Sequence, residues 1–562
     1  MKTESLVDAP TAEGTWIHAW GQRPLPNDVE VLIVGLGPVG AAIANLLARY
    51  GVNVLAIDKA QGIFMAPRAI ALDNEALRIL QMAGVSEDDF EKVAIPYVRM
   101  RSPQLGEFAR ANTTGTLDGH PKLVTFYQPD LERCLRDKLR TYPNAGVGLG
   151  VALQDLAQQE NGVVATVVDG NGQISRIHAT YVIGADGASS QVRKLIGQDF
   201  HGKTYAEDWL VVDALQAPTP IDHVEFICDY RRPIPHMTAP GGRQRWEFML
   251  HPGESREDME SDARIRELLA PWGRIDQIKI ERKAVYRFHA RVVDTFRVGN
   301  VFLAGDAAHI TPPFVGQGLV AGLRDAANLS WKLAWVIRRR ASDNILNSYD
   351  QERRPHATAM INMAKLMGKL VMPRNLGLAL LVHGFMWLSR LIPPLRDQFE
   401  QLEIKPKPLF RHGLFAQCRR SRKLRAGGLM PQGWIRGADG TICLSDDALG
   451  SELVLVGFGC DPAQAMDDGL NRAFTAAGGS LIQITHRGQR PGPASTDAWE
   501  DLDGTFLPQS VPLGWVAIVR PDRTILNLGP VQEIDHLVVQ SLAMLGTPSP
   551  VTTPSVQATA SL

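Results

Sequence analysis

The clearest feature of the hydrophobic pattern is a set of short apolar runs, each followed at once by small or acidic residues. Residues 29–34 are mostly apolar and rich in β-branched side chains, and apolar residues then recur at helical spacing over residues 41–49. A second apolar run, residues 52–57, ends at Asp58. Strands that alternate with helical segments indicate parallel β-α-β units, so the sequence predicts an α/β fold of Rossmann type.

Two further strands of this kind are predicted later in the chain. Residues 181–184 form an apolar run that precedes Asp186, and residues 301–304 form one that precedes Gly305. After the second run, a Pro-rich loop leads into apolar residues at helical spacing over residues 319–335. This order of strand, acid-bearing turn, Pro-rich loop and Gly-capped helix favours a loop wrapped around a flat ring with polar edges.

The pattern G-x-G-x-x-G follows the first strand directly, as Gly35, Gly37 and Gly40. The first glycine permits a tight turn, the second lets the backbone approach a pyrophosphate, and the third lets helix and strand pack closely. The phosphates then rest on the N-terminus of the helix that Pro38 opens. The sequence therefore predicts a dinucleotide site.

The acid that such a site needs is also present. Asp58, with Lys59 beside it, follows the second strand about 20 residues beyond the glycines, where an acid hydrogen-bonds a ribose hydroxyl. The alternative is a plain Gly-rich turn, which leaves Asp58 without a role. We predict that the chain binds FAD.

Composition and charge exclude several other classes of protein. The chain has 562 residues, 45% hydrophobic and 21% charged, so two or three domains are expected. Lys+Arg 59 against Asp+Glu 60 gives no field that would attract nucleic acid or an anionic membrane. The N-terminus lacks a signal pattern, and the longest apolar stretch, residues 376–391, is too short to span a bilayer. The expected partners therefore include neither nucleic acid nor a membrane.

The five cysteines are scattered through the chain and form no C-x-x-C pattern. Neither a zinc site nor a disulfide framework is indicated, so no metal is predicted. A cytoplasmic location fits this cysteine usage best.

With a third motif, Asp186-Gly187 after a strand, the chain resembles the single-component flavoprotein aromatic hydroxylases, the class A FAD monooxygenases. The resemblance covers about residues 28–400. It implies a Rossmann-type FAD-binding domain with an inserted β-sheet substrate domain, and a homodimer. The cofactor-binding positions that it implies are Gly35, Gly37, Pro38, Gly40, Asp58, Lys59, Arg68, Gln128, Asp186, Gly187, Gly305, Asp306, Pro313, Gly316, Gln317, Gly318 and Leu319.

The resemblance also implies a reaction. NADH or NADPH reduces the flavin, and the reduced flavin captures O2 as a C(4a)-hydroperoxide that hydroxylates a phenol ortho or para to its hydroxyl. Pro313 stiffens the loop facing the flavin, and backbone N–H groups of residues 316–319 stabilise charge at the ring edge. Gly318 is expected to tolerate no side chain. The implied substrate is 3-(3-hydroxyphenyl)propionate or a related phenol; the sequence does not choose between NADH and NADPH.

No base for the phenol can be assigned from the motifs. Related hydroxylases place an Asp or His two residues after the arginine that matches Arg68, whereas this chain has Ile70 there, as a substrate-pocket residue. The segment of alternating strands over residues 205–291 offers candidates, of which His236 and Tyr286 rank first. The other candidates in this segment are Asp213, His223, Tyr230 and His289.

A propionate tail on the substrate would favour an arginine, whose forked donors bind a carboxylate in bidentate fashion. Arg232 and Arg245 lie in the predicted substrate domain, at positions that resemble arginines of related hydroxylases. The alternative is that both are solvated strand residues.

Beyond about residue 400, short strands and helical stretches resemble the thioredoxin-like C-terminal domain of larger family members. Cys460 has no partner cysteine at redox-motif spacing, so a dithiol reaction is not expected. The predicted divisions are an N-terminal tail (1–27), a discontinuous FAD-binding domain (28–200 and 291–400), a substrate domain (201–290), a thioredoxin-like domain (405–545) and a disordered tail (546–562).

Two other functions share parts of this pattern. A flavin-dependent oxidase or dehydrogenase would keep the Gly-rich loop, and a flavoprotein that only binds or senses would hold FAD without reduction by a nicotinamide. A hydroxylase of a larger polycyclic or polyketide phenol is the alternative within the same family.

Overall fold

The computed structural model describes residues 16–18, 25–66, 68–373, 375–392, 408–417, 419–489 and 497–546. The chain divides into two compact units, Met1–Ser330 with Arg353–Lys407 and Trp331–Glu352 with Pro408–Leu562. The predicted tail after residue 546, the start of the predicted N-terminal tail and the boundary between the predicted FAD-binding and thioredoxin-like domains lie outside the described residues, as does Cys418, one of the five cysteines.

The first unit contains most of the strands. They are β1 Trp16–His18, β2 Asp28–Val34, β3 Val54–Asp58, β4 Ala71–Asp73, β5 Lys92–Ala94, β6 Tyr97–Ser102, β7 Gly106–Asn112, β8 Thr116–Leu117, β9 His120–Pro121, β10 Leu123–Phe126, β11 Ala145–Leu149, β12 Val151–Gln159, β13 Gly162–Asp169, β14 Ile174–Gly184, β15 Phe200–Gln216, β16 Val224–Ile227, β17 Ile234–Ala239, β18 Arg243–Met249, β19 Lys279–Val293, β20 Arg297–Val298, β21 Val301–Leu303 and β22 His309–Ile310.

The α-helices up to residue 392 alternate with these strands. They are α1 Pro38–Arg49, α2 Asn74–Met82, α3 Gln128–Leu139, α4 Gln191–Leu195, α5 Arg256–Met259, α6 Asp262–Leu269, α7 Gly318–Ile337, α8 Asn347–Val371 and α9 Leu376–Ser389.

A parallel sheet forms the centre of the first unit. Strands β1, β11, β3, β2, β14 and β21 lie side by side and all run parallel. The sheet continues with β13, antiparallel to β14, and then β12, antiparallel to β13. β1 lies within the segment predicted as an N-terminal tail, so part of that segment is an edge strand. Parallel strands of this kind are covered on both faces, so nearly all of their side chains are buried. This is why the buried runs of β2, β3 and β21 are continuously apolar. Turns at the carboxyl edge of such a sheet bind ligands.

A second sheet of eight strands, in the order β22-β19-β15-β18-β17-β16-β6-β7, contains the predicted substrate segment. Its two faces have different surroundings. One face carries Trp246 and Phe248 of β18 and every second residue of β15 from Leu210 to Ala214. These side chains form a core with α5 and α6. On the opposite face, the ring of Trp209 lies 5.9 Å from the ring of Phe314, in the Pro-rich loop. The second face is therefore the one directed toward the cofactor loops.

Helix α9 coincides with the longest apolar stretch of the sequence. Its residues Ala379, His383 and Met386 are buried, and Met386 packs in a cluster with Met100 of β6. Other large apolar residues of this helix, such as Leu381, are exposed. None of the helices in the described part of the chain is long and apolar enough to cross a membrane.

The second unit contains the remaining elements. Its strands are β23 Arg420–Ser421, β24 Leu424–Arg425, β25 Trp434–Gly437, β26 Ile442–Leu444, β27 Leu453–Phe458, β28 Gly479–Thr485, β29 Ala498–Asp501, β30 Trp515–Val519 and β31 Ile525–Pro530. Its later helices are α10 Ser445–Leu449, α11 Pro462–Ala465, α12 Asp468–Ala476 and α13 Ile534–Leu545.

The order of strands in the second unit is that of a thioredoxin-like fold. β27 pairs in parallel with β28 after the crossover through α11 and α12, and β30 and β31 then add antiparallel before α13. Cys460 follows β27, where thioredoxin-like folds carry their redox pair, but burial raises the pKa of its thiol. The thiol is thus held in its unreactive, protonated form.

A buried ion cluster holds the helical segment 331–352 within this unit. Glu352 accepts hydrogen bonds from Lys332 Nζ at 2.7 Å and from Arg520 NH1 at 2.8 Å, and all three side chains are fully buried. Burial lowers the pKa of Lys332 to about 8, against the opposing effect of Glu352. Because each buried charge has a partner, the loss of any one would leave another uncompensated.

Candidate active site

The turn after β2 is shaped by contacts that only glycine permits. Gly35 has a φ of +103°, and a Cβ placed there would lie 2.5 Å from Ala185 O. A Cβ at Gly40 would lie 1.9 Å from Gly35 O. These two glycines let β2, α1 and the turn after β14 approach closely.

Gly37 is different, because a Cβ there would meet no protein atom within 4 Å. It is the N-cap residue of α1, which begins at Pro38 and has no acidic residue in its first turn. The N–H groups at a helix start favour an anion, and here no side-chain carboxylate competes. The residues around Gly37 thus fit a pyrophosphate.

Asp58 lies beside this turn at the end of β3. Its Oδ2 accepts a hydrogen bond from Leu36 N–H at 2.8 Å, and its Oδ1 accepts one from Ala60 N–H at 2.8 Å. The carboxylate is therefore fixed at the glycine turn, where a ribose hydroxyl would donate to it. Lys59, which was also predicted for the site, is exposed.

Gln128 and Arg68 are brought together, as a shared role would require. Gln128 Oε1 accepts hydrogen bonds from the backbone N–H groups of Arg68 and Ala69, each at 2.9 Å. The side chain of Arg68 is exposed. Gln128 thus holds the backbone that presents Arg68.

Two further residues of α3 approach the glycine turn and were not identified from the sequence. Arg136 donates to Leu36 O at 3.0 Å and to Glu132 Oε1 at 2.7 Å. Burial raises the pKa of Glu132 to about 7; Arg136 opposes this shift and Asp58 adds to it. Residues four apart on a helix share a face, so the spacing from Gln128 could have indicated both.

The pKa of Glu132 predicts a pH effect on stability. Because the folded-state pKa lies above the ordinary value of 4.5, the folded protein binds more protons than the unfolded chain between pH 4.5 and about 7. Stability is therefore lost as the pH rises through this range, by up to about 3 kcal/mol. We expect the melting temperature of Glu132→Gln apoprotein minus that of wild-type apoprotein to become more positive from pH 5 to pH 8. A difference that stayed constant across this range would contradict the assignment.

Asp186 carries a buried acceptor that the protein leaves unused. Its Oδ2 accepts hydrogen bonds from Gln191 N–H at 2.6 Å and Val192 N–H at 3.2 Å. Its Oδ1 is buried and has no hydrogen-bond partner among the described residues. A buried acceptor of this kind calls for a donor, such as a hydroxyl of a dinucleotide. Gly187 follows with a φ of +78°.

The turn that holds Gly305 and Asp306 is fixed by Asp325 of α7. Asp325 Oδ2 accepts from Gly305 N–H at 3.0 Å and from His309 Nε2 at 2.7 Å, while its Oδ1 accepts from Arg353 Nε at 2.9 Å. Burial raises the pKa of Asp306, whose carboxyl forms no hydrogen bond within the described part of the chain. Asp325 was not identified from the sequence, although it lies two turns into the helix that follows the motif.

The Pro-rich loop leads directly into α7. Residues Pro313–Val315 form one 3-10 turn, and Gly316 has a φ of +62°. Gln317, which was predicted to bind the cofactor, uses its side chain within the protein: Nε2 donates to Asp73 at 3.0 Å, and Oε1 accepts from Arg324 at 3.0 Å. Its side chain therefore fixes the loop, and its backbone is left to face a ligand.

Gly318 and Leu319 form the start of α7, which has no acidic residue in its first turn. A Cβ at Gly318 would meet only Thr311 O, at 4.0 Å. The protein itself thus leaves room for a side chain at Gly318, so any restriction there would come from a bound ring. Together with the features around Gly37, Asp58 and Asp186, this arrangement fits FAD.

Comparison with known proteins agrees with this geometry. Residues 28–364 match the sequence family described as FAD binding domain, and residues 427–544 match the family described as HcaD C-terminal domain. The 3-(3-hydroxy-phenyl)propionate/3-hydroxycinnamic acid hydroxylase of Burkholderia cenocepacia (strain HI2424) is 37% identical over 511 residues, which is 88% of this chain and 93% of that protein. The chain belongs to the FAD-dependent aromatic hydroxylases.

Other members of the hydroxylase family are also similar. A protein of the same name from Escherichia coli O139:H28 (strain E24377A / ETEC) is 32% identical over 89% of this chain and 92% of its own length. The flavin-dependent monooxygenase PieE, in complex with FAD and substrate, superposes with a TM-score of 0.76 at 20% identity and covers 92% of this chain and 99% of its own. Aklavinone-11 hydroxylase with FAD and aklavinone gives a TM-score of 0.71 at 20% identity, over 92% and 99%. The chain is therefore an FAD-dependent monooxygenase, and the two solved structures show that its fold is shared.

In this hydroxylase, the sheet face directed toward the cofactor loops carries the residues predicted to bind substrate. Arg245 donates in bidentate fashion to Asp213, with Nε at 2.6 Å and NH2 at 3.0 Å, and its NH1 donates to Arg68 O at 3.3 Å. Tyr286 lies on the same face and accepts a hydrogen bond from Arg282. Ile70 packs beside this face with Met237.

His236 and Arg232 are placed differently from the predicted substrate site. His236 stacks on Trp246 at 4.7 Å, on the face that packs against α5 and α6, and burial lowers its pKa to about 4. A base on that face cannot reach a substrate at the opposite face. Arg232 donates to Glu254 at 2.6 Å and to Met249 O at 2.5 Å, so its guanidinium is held by the protein.

The remaining candidates for a base are also bound locally. His223 stacks on Tyr97, His289 contacts Thr204 Oγ1 at 3.2 Å, and Tyr230 accepts a hydrogen bond from Arg231 at 3.2 Å.

No group of three or more His, Cys, Asp or Glu in the described residues is arranged to hold a metal ion.

Proposed function

We propose that this monooxygenase hydroxylates 3-(3-hydroxyphenyl)propionate or a closely related phenol, with NADH or NADPH as reductant and O2 as oxidant. The observation that carries the proposal is the 37% identity, over 88% of this chain, to a hydroxylase named for that phenol. Bound FAD would supply the redox chemistry, namely hydride acceptance from the nicotinamide and activation of O2. The side chains described above supply position, charge and exclusion of water.

An aromatic wall next to the Pro-rich loop supports a substrate with an aromatic ring. Trp209 stacks with Phe288 at 5.6 Å between ring centroids, and Phe314 meets Phe288 edge to face at 6.1 Å. Apolar rings at this position exclude water, which protects a reactive oxygen species from unproductive collapse.

Arg245 remains the proposed site for the carboxylate tail of the substrate. Since Asp213 already accepts from its Nε and NH2, Arg245 would act through its positive charge at the sheet face rather than through an open fork. Arg232 is not proposed for this role, because Glu254 holds its guanidinium. Tyr286 is proposed to hydrogen-bond the substrate from the same face. Pro313 is proposed to be part of the loop that faces the flavin ring.

Three features of the proposal rest on the family resemblance and on composition. They are O2 as the co-substrate, assembly as a homodimer, and a location in the cytoplasm.

The proposed function is tested by anaerobic reduction of the FAD-loaded protein by NADH and by NADPH. The ligands compared are 3-(3-hydroxyphenyl)propionate, its analogue without the hydroxyl, its analogue without the carboxylate, resorcinol and 2-hydroxybiphenyl. We expect the full substrate to accelerate reduction by at least about tenfold and, once O2 is admitted, to give the catechol.

The outcomes separate the alternatives. Acceleration by 2-hydroxybiphenyl alone would assign a larger phenol as substrate. Fast peroxide release with no hydroxylated product from any phenol would favour an oxidase. Tight FAD that neither nicotinamide reduces would indicate a flavoprotein that only binds or senses.

A further inference from the structure

Glu247 lies on the sheet face that is directed toward the cofactor loops. Alternate residues of a strand share a face, so Glu247 points to the same side as Arg245 and Met249 of β18. Its cross-strand partner is Val211, flanked by Asp213 and Trp209, which pair with Arg245 and Met249.

Contacts on either side of Glu247 fix its position relative to the cofactor loops. On one side, Arg245 reaches Arg68 O at 3.3 Å. On the other side, Trp209 meets Phe314 at 5.9 Å between ring centroids. Glu247 therefore lies between two direct contacts of the sheet with the loops that would surround FAD.

Glu247 is a buried acid without a partner. It is 8% exposed, and its carboxylate makes no hydrogen bond or ion pair with any residue that the structure describes. The other buried acids of this sheet are engaged: Asp213 accepts from Arg245 and Arg282, and Glu225, on the opposite face, accepts from Arg99 and Arg101. Buried polar groups are nearly always satisfied, so an exception on a ligand-facing surface indicates a ligand.

A second unsatisfied group lies on the same face. Trp209 Nε1 is buried and has no acceptor among the described residues. An unused acceptor and an unused donor at diagonal positions of the β15–β18 pair suit a small polar group such as a hydroxyl, which both accepts and donates.

The charges around Glu247 adjust its basicity. Burial raises the pKa of Glu247, Asp213 adds to the shift, and Arg245 and Arg282 oppose it. Tyr286, which accepts a hydrogen bond from Arg282 on β19, is a further titratable group on this face. A carboxylate with a raised pKa is a stronger base than an ordinary one, so it accepts a proton more readily.

We propose that Glu247 accepts the phenolic proton of the bound substrate. The O–H bond of the phenol breaks, its electron pair remains on the oxygen, and the proton forms a bond to a Glu247 carboxylate oxygen. The resulting phenolate ring is a better nucleophile toward an electrophilic oxygen. This inference rests on the proposed phenol hydroxylation, and it assigns the base that Ile70 does not supply.

The test compares FAD-loaded wild type, Glu247→Gln and Glu225→Gln on two substrates. One is 3-(3-hydroxyphenyl)propionate, and the other is a ring-fluorinated analogue that is already ionised at the assay pH. We expect Glu247→Gln to hydroxylate the first about a hundredfold more slowly than wild type, and the second within about twofold of wild type. A role in packing alone would slow both substrates equally. Glu225→Gln, which removes a buried acid from the opposite face, is expected to show the same ratio between substrates as wild type.

Several results would overturn the inference. It fails if Glu247→Gln slows both substrates equally, slows neither, or if Glu225→Gln gives the same substrate-dependent pattern. If wild type hydroxylates no phenol, the proposed function itself fails and the inference falls with it.

A second measurement does not depend on the folding of any variant. In the anaerobic wild-type complex, the ultraviolet spectrum of the bound phenol is followed from pH 6 to pH 9. Once Glu247 is ionised, internal transfer of the proton is expected to give bound phenolate already near neutral pH, at least about two units below the ordinary phenol pKa of about 10. A bound phenol that stays neutral up to pH 9 would rule out Glu247 as the base. Since burial outweighs the attraction of Arg245 and Arg282 for the ionised Glu247 carboxylate, Glu247→Gln is expected to melt at or above the wild-type temperature.

Discussion

A Gly37→Ala variant is expected to fold normally and to lose FAD, with its dissociation constant raised by at least about a hundredfold, or about 3 kcal/mol. Gly37 has a φ of −70°, which alanine also adopts, and the added Cβ would meet no protein atom within 4 Å. The methyl group would therefore displace only what the backbone approaches, which we infer to be the pyrophosphate. The apoprotein should be as stable as wild type, or slightly more so, because alanine restricts the unfolded chain.

Gly40→Ala provides the matched control. Its Cβ would lie 1.9 Å from Gly35 O, so the turn must move whether or not FAD is present. This variant should lose both FAD affinity and apoprotein stability, whereas Gly37→Ala should lose only the first. Melting temperatures of the apoproteins and fluorescence titration with FAD measure the two quantities separately. Wild-type affinity in Gly37→Ala would show that the cofactor does not approach the backbone at this turn.

The sequence predicted this part of the site because its chemistry is local. Gly35, Gly37 and Gly40 act within one strand-turn-helix unit, and Asp58 follows the next strand. Parallel pairing of β2, β3, β14 and β21 then brings the four motif-bearing turns to one edge of the sheet. Strand periodicity and motif order were sufficient for this, since the carboxyl ends of parallel strands always meet at one edge.

The residues that position the site could not be predicted, because they depend on pairing between distant segments. Alternation along β17 and β18 shows that neighbours point to opposite faces, but not which face meets the cofactor. The chemistry of its side chain makes His236 a candidate base, yet it stacks on Trp246 on the face away from the loops. Glu247, which follows Trp246 on β18, points toward the loops, and no sequence motif marks it.

The same limit applied to the arginines. Arg245 and Arg232 were chosen for the geometry of their guanidinium groups, but each has a carboxylate partner close by, in Asp213 and Glu254. Strands β16 and β17 separate Asp213 from Arg245 along the chain. Only the register of β15 with β18 places the two residues opposite each other. Charge pairing across a sheet is therefore visible only once the register is known.

An Asp325→Asn variant is expected to lose FAD and to lose about 3–5 kcal/mol of stability. Asp325 is fully buried and joins the turn of Gly305 to α8 through His309 and Arg353. Burial acts to raise the pKa of Asp325, but the charge of Arg353 and the hydrogen bonds from His309 and from Gly305 N–H hold it below its ordinary value. The folded state thus depends on the ionised carboxylate.

Asparagine at this position would keep the shape of the side chain but remove its charge. Arg353 would be left buried with an uncompensated charge, and the amide NH2 would face one of three donors that now point at Asp325. The turn of Gly305 and Asp306 would then lose its anchor, so FAD loss and instability should occur together. This coupling distinguishes Asp325→Asn from Gly37→Ala, which should affect the cofactor alone.

Asp208→Asn is the control for Asp325→Asn, because Asp208 also pairs with an arginine, here through two hydrogen bonds. Its partner Arg287 is exposed, and such pairs contribute less than about 1 kcal/mol. Melting temperatures with and without FAD, together with the fraction of FAD released on gel filtration, compare the two variants. If Asp325→Asn retained FAD and melted at the same temperature as Asp208→Asn, the backbone hydrogen bonds of the turn and the packing against Val39 would be sufficient to hold Gly305. The buried charge network would then have no part in positioning the cofactor, and His309 and Arg353 would be stabilising α7 and α8 only.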